Sequence, residues 1–255
     1  MNTPVIEAQG VCVELGGSLI LRDINISIEP GETIVLIGPS GAGKTVLLKT
    51  LMGIYEPSQG QVRCYGHRWR ELSSVGRHDL ASHVGMQFQK AALFDDLSTI
   101  ENAAYPLREH TQLKKQEIEA RALECLRMVG LAEAKDRMPY ELSGGMRLRL
   151  GVARSIALKP ELLIMDDPTA GLDPVSSDDM ANLILNLKKE IGATLVVVTC
   201  DIQRAFQFAG RIFLLADKTL IECGTAEQTR RHPDPRVHQF INGLQEGPLT
   251  ELESM

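Results

Sequence analysis

The chain of 255 residues is predicted to be an α/β protein with a largely parallel sheet. Three short apolar runs are typical of buried strands: Glu32–Gly38, Glu161–Asp167 and Thr194–Thr199. Segments with helical spacing of apolar side chains lie between them. Strands that alternate with helices favour parallel pairing, with the helices packed on the faces of the sheet.

The predicted helices follow in chain order. The first covers "VLLKTLMG" and ends at Gly53, the second spans Leu113–Gly130, and the third spans Met180–Ile191 and ends at Gly192. Cys125 falls on the apolar stripe of the second helix and is predicted to be a core side chain. A hairpin is predicted to turn at Asp217–Lys218.

Between about residues 89 and 154 strand patterns are absent, which predicts an inserted helical subdomain there. From Thr225 onward the chain is polar and contains proline, which indicates an extension beyond the core.

Composition excludes several classes of function. The net charge is -6, so no concentrated basic surface favours nucleic acid as a partner. The five cysteines form no CxxC pair, which argues against a disulfide framework or a zinc site and fits a reducing compartment. The N-terminus does not read as a signal peptide, and no apolar run approaches the ~20 residues of a membrane helix. A cytoplasmic protein is therefore expected.

The segment "GPSGAGKT" matches GxxxxGK[ST] between a predicted strand and a predicted helix. Glycines let backbone N–H groups converge on a phosphate, and a helix N-terminus adds favourable partial charge. In this motif the lysine reaches the β- and γ-phosphates, and the hydroxyl of the serine or threonine after it joins the Mg²⁺ shell. The candidate nucleotide-binding residues are Gly38, Ser40, Gly41, Gly43, Lys44 and Thr45. A glycine-rich turn without a ligand is the alternative.

A carboxylate at a neighbouring strand end is the usual companion of such a loop. "LLIMDD" places Asp166 after four apolar residues, suited to a water bound to Mg²⁺, with Asp167 beside it. Two adjacent acids that close a strand also occur in solvated turns.

Upstream of the acidic strand, "ELSGGMRLRLGVARS" resembles the signature segment of ATP-binding cassette (ABC) ATPases. The resemblance covers essentially the whole chain, because "MQFQ" matches the glutamine loop and "AGLDP" matches the dimer loop. It implies a P-loop NTPase fold: a RecA-like core with an N-terminal antiparallel β region, plus the helical subdomain. The cassette is then expected over residues 1–230.

The resemblance also implies the roles of single residues. ATP and Mg²⁺ are the expected cofactors, with two ATP molecules sandwiched in a head-to-tail homodimer. Ser143, Gly144 and Gly145 complete the site of the opposite subunit, and Asp173 lies near the junction. Alone, LSGG is also compatible with a serine-capped helix that binds nothing. The implied metal-site residues are Thr45, Gln89 and Asp166, and the implied catalytic positions are Asp167, Gln89 and Cys200.

Two further segments resemble the ATPase subunits of ABC systems that move phospholipids between the two membranes of Gram-negative bacteria. They are "FQKAALFDDLSTIENAAYPLREH" and "HPDPRVHQFINGLQEGP". This resemblance implies an integral-membrane permease facing residues 91–106 and a small STAS-domain protein as partners. It also implies a position on the cytoplasmic face of the inner membrane through the permease, and an extension at 231–255 that contacts the other subunit.

Three positions depart from the family pattern. Asp167 stands where a glutamate is usual, and its shorter side chain retracts the oxygens by about an ångström; a misplacement of that size costs on the order of a hundredfold in rate. Cys200 stands where a histidine contacts the γ-phosphate, and a thiol donates hydrogen bonds poorly. Gln203 is the nearest strong donor, although it is expected to point elsewhere. The adenine-stacking aromatic is missing from "VCVELGG", where Val13 and Leu15 offer only apolar contact.

Cys200 is interpreted as a small strand-end side chain rather than a nucleophile or redox sensor, because neither neighbour is basic. For the whole chain, an ATPase subunit of a lipid transporter is the leading hypothesis. An ATP-binding clamp that hardly turns over is the second, favoured by the paired changes at Asp167 and Cys200. A soluble cassette protein of translation or DNA repair is the third, and it lacks the usual second cassette or coiled-coil insert.

Overall fold

The computed structural model describes residues 3–89, 91–208 and 210–251. It divides into two compact units. The discontinuous unit comprises Met1–Ser73 and Val196–Met255, and the central unit comprises Ser74–Leu195. The described helices are all too short or too polar to cross a bilayer.

The strands are β1 (Ile6–Leu15), β2 (Ser18–Ile28), β3 (Thr33–Ile37), β4 (Gln59–Cys64), β5 (Val84–Gln87), β6 (Leu162–Asp166), β7 (Thr194–Val198), β8 (Arg211–Ala216) and β9 (Thr219–Gly224). The helices are α1 (Lys44–Leu51), α2 (Ser74–Ser82), α3 (Thr99–His110), α4 (Lys115–Met128), α5 (Gly144–Ser155), α6 (Pro174–Ile191), α7 (Ile202–Gln207), α8 (Ala226–Arg230), α9 (Pro235–Asn242) and α10 (Pro248–Glu251).

The discontinuous unit contains an antiparallel group and part of a mixed sheet. β1 pairs with both β2 and β4, so that Ile6 lies opposite Ile28 on one side and Cys64 on the other. This is the predicted N-terminal antiparallel region. β3 pairs in parallel with β8, and its last four side chains, Ile34 to Ile37, are fully buried, as expected for a strand covered on both faces.

The predicted hairpin joins β8 to β9 in antiparallel register. Asp217 and Lys218 both adopt positive φ, at 49° and 66°, the conformation required by a two-residue type I′ turn.

The polar C-terminal segment folds into three short helices. α9 begins at the cap Asp234, whose carboxylate accepts the Arg236 N–H at 2.8 Å, and ends at Gly243 with φ 61°. The buried Gln239 amide accepts from Leu249 N at 2.8 Å, which folds α10 back onto α9. Residues 252–255 of the predicted extension lie outside the described residues.

The central unit holds the parallel pair β5 and β6 together with α2 to α6. The helix predicted over Leu113–Gly130 is α4, and Cys125 is fully buried in it; burial raises the pKa of this thiol to about 11. The helix predicted from Met180 begins six residues earlier, at Pro174, because Asp173 caps its N-terminus and proline is preorganised for the first helical turn. Its first turn is polar, so apolar spacing did not reveal it.

A single buried amide fixes the loop that precedes α3. Asn102 is fully buried, and its Oδ1 accepts the Phe94 N–H at 2.9 Å. Its Nδ2 donates to the carbonyl oxygens of Phe94 and Leu97 at 3.0 and 2.9 Å. These bonds replace water for a stretch of backbone that has no regular secondary structure, and they therefore hold the loop in one conformation.

We predict that Asn102→Ala lowers the free energy of unfolding by about 3 kcal/mol, because the loop carbonyls and the Phe94 N–H lose their buried partner. Urea denaturation measures the loss. Asn182→Ala is the control: its exposed amide donates to Asp178 within α6, and a change of at most about 0.5 kcal/mol is expected. Equal losses in the two variants would contradict this account of the loop.

Candidate nucleotide site

The phosphate loop leaves the carboxyl end of β3 and enters α1, and two of its glycines are required by their surroundings. Gly38 has φ 152°, and a Cβ atom there would overlap the Leu215 carbonyl oxygen of β8. Gly43 has φ 98°, and a Cβ atom there would lie 3.1 Å from Ile20 of β2. The loop therefore runs closely against β8 and β2, with a backbone that glycine alone adopts without strain.

Lys44 and Thr45 form the first turn of α1. The Lys44 ammonium donates to the carbonyl oxygens of Gly38 and Pro39, both at 2.7 Å, and so lies across the mouth of the loop. Ser40 and Gly41 are exposed at the tip of the loop. Backbone N–H groups at a helix N-terminus, with an ammonium beside them, form a site suited to a polyphosphate.

The segment that carries Cys200 lies beside this loop. The Thr199 N–H donates to Leu36 O of β3 at 3.0 Å, two residues before Gly38. Cys200 is exposed, and the next residue, Asp201, caps α7 by accepting the Arg204 N–H at 3.1 Å. A hydrogen bond from Asp201 N to Thr199 Oγ1 at 3.0 Å closes the turn around Cys200. Gln203 is exposed on α7.

In the central unit, the acidic pair and the glutamine follow neighbouring parallel strands. Gln87 at the end of β5 lies opposite Met165 of β6, so both chains leave the sheet at the same edge. Asp166 is buried, with 4% of its surface exposed. Asp167 is half-buried at φ 50°, a conformation that aspartate tolerates better than most residues, and Gln89 is exposed.

The signature segment and the dimer-loop segment lie together in the same unit. Ser143 is the N-cap of α5, and its hydroxyl accepts the Met146 N–H at 3.2 Å. A Cβ atom on Gly145 would lie 3.5 Å from Leu172, the neighbour of Asp173. The N-termini of α5 and α6 are thus adjacent, and Ser143 and Gly144 are exposed there.

Asp173 is tightly bonded at the start of α6. Its carboxylate accepts the Ser176 hydroxyl at 2.6 Å and the N–H groups of Ser176 and Val175 at 3.0 Å. These bonds, the Ser176 hydroxyl first among them, lower the pKa of the carboxyl group. Asp173 therefore remains ionised, and any stability that its charge provides is lost only as the pH falls below the usual range of an aspartate.

The candidate residues are thus divided between the two units. The phosphate-loop residues and Cys200 belong to the discontinuous unit. The central unit carries Gln89, Ser143, Gly144, Gly145, Asp166, Asp167 and Asp173.

Sequence patterns did not reveal Gln87. It is fully buried, and both atoms of its amide lack a hydrogen-bond partner among the described residues. Its side chain packs close to Gly151 and Ala91. A Cβ atom on Gly151 would be 3.3 Å from the Gln87 Cγ and 2.9 Å from the Ala91 Cβ. Both glutamines of "MQFQ" are candidates by type, but Gln87 is the last residue of β5 and is buried, whereas Gln89 lies beyond the strand and is exposed.

A phosphate loop that leaves a parallel strand of a mixed sheet and enters a helix, together with a separate antiparallel sheet of β1, β2 and β4, defines a P-loop NTPase. The ABC transporter family matches residues 21–170, which is more than half of the chain. The chain belongs to this family, whose ATPase domain binds and hydrolyses ATP.

Curated relatives match over nearly the full chain. The chain is 38% identical over 249 residues to the intermembrane phospholipid transport system ATP-binding protein MlaF of Haemophilus influenzae, covering 98% of this chain and 94% of the relative. MlaF of Escherichia coli K12 is 36% identical, with 96% and 91% covered. A probable ribonucleotide transport ATP-binding protein, mkl of Mycobacterium tuberculosis, is 38% identical, but the match spans only 68% of that relative.

Solved ABC cassettes share the fold. The dimeric ATP-binding cassette MJ0796, in a post-hydrolysis state bound to ADP and Pi, matches with a TM-score of 0.75 and 30% identity, covering 85% of this chain and 98% of that one. CbiO1 of Clostridium perfringens, part of the ABC transporter complex CbiONQ, has a TM-score of 0.81 and 25% identity, covering 99% and 100%.

We predict that Gly38→Ala destabilises the nucleotide-free protein by about 3 kcal/mol, because overlap with the Leu215 carbonyl adds to the strain of a positive φ. Gly41→Ala is the control. Gly41 also has a positive φ, 79°, but a Cβ atom there meets nothing within 4 Å, so only about 1 kcal/mol is expected. Urea denaturation of both variants tests this, and equal losses would mean that the contact with β8 does not constrain the loop.

Proposed function

We propose that this protein is the ATPase subunit of an ABC transporter that moves phospholipids between the inner and outer membranes and so maintains outer-membrane lipid asymmetry. The observation that carries the proposal is the match to two MlaF proteins over 91–94% of their length, together with a complete phosphate loop. The mycobacterial relative reaches a similar identity over a smaller share of its own chain, which makes a ribonucleotide the competing cargo.

The oxygen donors among the candidate residues suit Mg²⁺, which prefers oxygen ligands and retains several waters. The Thr45 hydroxyl, the Gln89 side-chain amide oxygen and the buried Asp166 carboxylate are the proposed ligands or water-holding groups. The cation would neutralise charge on the β- and γ-phosphates. Lys44 and the N–H groups of the loop residues bind the same phosphates, and Asp167 orients the attacking water.

The proposed assembly is a homodimer in which Ser143, Gly144 and Gly145 of one protomer close on the ATP held by the other. Asp173 lies near the junction. The supporting observations are the exposed N-terminus of α5 and the dimeric state of the cassette MJ0796.

The remaining proposed partners are an integral-membrane permease resembling MlaE, which faces residues 91–106, and a small STAS-domain protein resembling MlaB. No nucleic acid is involved. The protein is proposed to lie on the cytoplasmic face of the inner membrane through its permease. The domain boundaries at about 230, and at 89 and 154 for the helical subdomain, belong to the same proposal, as does contact between the extension at 231–255 and the partner protomer.

The pairing of Asp167 with Cys200 makes hydrolysis slow in this proposal. Cys200 lies beside the phosphate loop in the turn where the family places histidine, and its thiol cannot supply a strong donor to the γ-phosphate. Asp167 keeps the charge of the usual glutamate but not its reach. Identical protomers carry both changes in both sites, so a second intact site does not compensate.

An ATP-binding clamp that closes without turnover is the second candidate, and the same two residues favour it. The two candidates differ in one measurable property, the ATP hydrolysis rate of the assembled complex relative to a protein that cannot hold the γ-phosphate.

The test uses the full chain copurified with its membrane subunit and reconstituted into vesicles. We expect ATP-dependent transfer of fluorescent phospholipid to acceptor vesicles, and no transfer with Lys44→Ala. Uptake of a labelled ribonucleotide in place of lipid transfer would overturn the assigned cargo.

Hydrolysis is measured in the same preparation. The unmodified protein is expected to exceed Lys44→Ala, and Asp167→Glu/Cys200→His is expected to raise the rate on the order of a hundredfold by restoring the reach of the carboxylate. Turnover equal to Lys44→Ala, with activity only in the double variant, would identify the clamp instead.

A further inference from the structure

The strands β1 and β2 carry no aromatic side chain on which a nucleobase could stack. β2 contacts the loop through Ile20 and Leu21, whose side chains would lie 3.1 and 3.3 Å from a Cβ atom on Gly43. β1 and β2 contain no phenylalanine, tyrosine or tryptophan. Val13 is fully buried, and Leu15 is only half-buried at the end of β1. A base that lies against β1 or β2 would thus meet only aliphatic or polar side chains.

The central unit exposes an aromatic side chain beside the signature serine. Tyr140 is 77% exposed, the highest fraction among the exposed large hydrophobic side chains of the described residues. A single exposed aromatic is ordinary on a protein surface. Its position is less ordinary, because it precedes Ser143 by three positions and its Cα atom therefore lies within about 11 Å of that of Ser143.

The backbone around Tyr140 is firmly held. Pro139 and Leu142 on either side are buried, and the Glu141 carboxylate accepts the Met138 N–H at 2.7 Å. The Leu142 N–H donates to Pro139 O at 3.2 Å, and Arg147 donates to Leu142 O at 2.6 Å. The turn is fixed while the ring extends into solvent, so that stacking on it costs little conformational entropy.

We propose that Tyr140 stacks on the nucleobase of the ATP bound to the opposite protomer and so replaces the aromatic that β1 lacks. The inference rests on the proposed head-to-tail closure, in which Ser143 meets the γ-phosphate. The rest of the nucleotide then extends along the surface from Ser143, and Tyr140 is the ring within reach on the same segment. Stacking on a tyrosine is tolerant of base identity, so the contact contributes affinity rather than selection of adenine.

The test measures ATP binding by a single protomer separately from dimer formation driven by ATP. ATP affinity is measured on dilute, monomeric full-length chain, and the ATP concentration for half-maximal dimer formation is measured by sedimentation. Tyr140→Ala is expected to leave the monomer affinity unchanged and to raise the ATP concentration for dimer formation about tenfold. Tyr140→Phe should return this ATP concentration to that of the unmodified protein. Tyr140→Leu, which is apolar but has no ring, should not.

The inference is overturned if Tyr140→Ala or Tyr140→Leu forms dimers at the same ATP concentration as the unmodified protein. It is also overturned if Tyr140→Phe needs as much ATP for dimer formation as Tyr140→Ala does. A loss of ATP affinity in the Tyr140→Ala monomer as large as the loss in dimer formation would overturn it as well. If the unmodified monomer binds ATP no more tightly than the Lys44→Ala monomer, the proposed function is overturned instead. Intact monomer binding without any dimer driven by ATP would reject the contact between protomers and leave ATP binding in place.

Discussion

The backbone path between β3 and α1 is the constraint on which the rest of the site depends. Gly38 passes so close to the Leu215 carbonyl that no side chain fits, and Gly43 lies against β2 at positive φ. Because β3 pairs with β8 and its side chains are buried, the loop starts from a rigid edge, and its N–H groups are in position before a phosphate arrives. Preorganised donors of this kind bind an anion without the cost of ordering a loop.

The residues placed for hydrolysis of the bound ATP are less well suited to their task than those placed for binding it. The turn at Thr199–Asp201 is held to β3 by a backbone hydrogen bond and to α7 by the Asp201 cap, so position 200 is fixed beside the loop whichever side chain it carries. In this chain the side chain is a thiol. Asp167 occupies a left-handed backbone position that suits aspartate, and restoring glutamate there is expected to cost about 1 kcal/mol of stability while it extends the carboxylate. Rate and stability thus favour different residues at this position.

Much of this arrangement follows from local patterns. The runs that became β3, β6 and β7 are recognisable because buried parallel strands are short and uniformly apolar, and "GPSGAGKT" carries its glycines at the positions where the backbone needs them. The start of α6 was placed too late because its first turn is polar, although Asp173–Pro174 is a capping signal. Asn102 and Gln87 could not have been predicted, since their burial depends on contacts that leave no period in the sequence.

ATP binding is proposed to be intact and cleavage of the γ-phosphate to be the slow step, and the identity of the bound nucleotide distinguishes the two. The full chain is incubated with ATP and Mg²⁺, separated rapidly from free nucleotide, and the retained nucleotide is identified. We expect mainly ATP on the unmodified protein and mainly ADP on Asp167→Glu/Cys200→His. Mainly ADP on the unmodified protein, or no more retained nucleotide than on Lys44→Ala, would contradict this proposal.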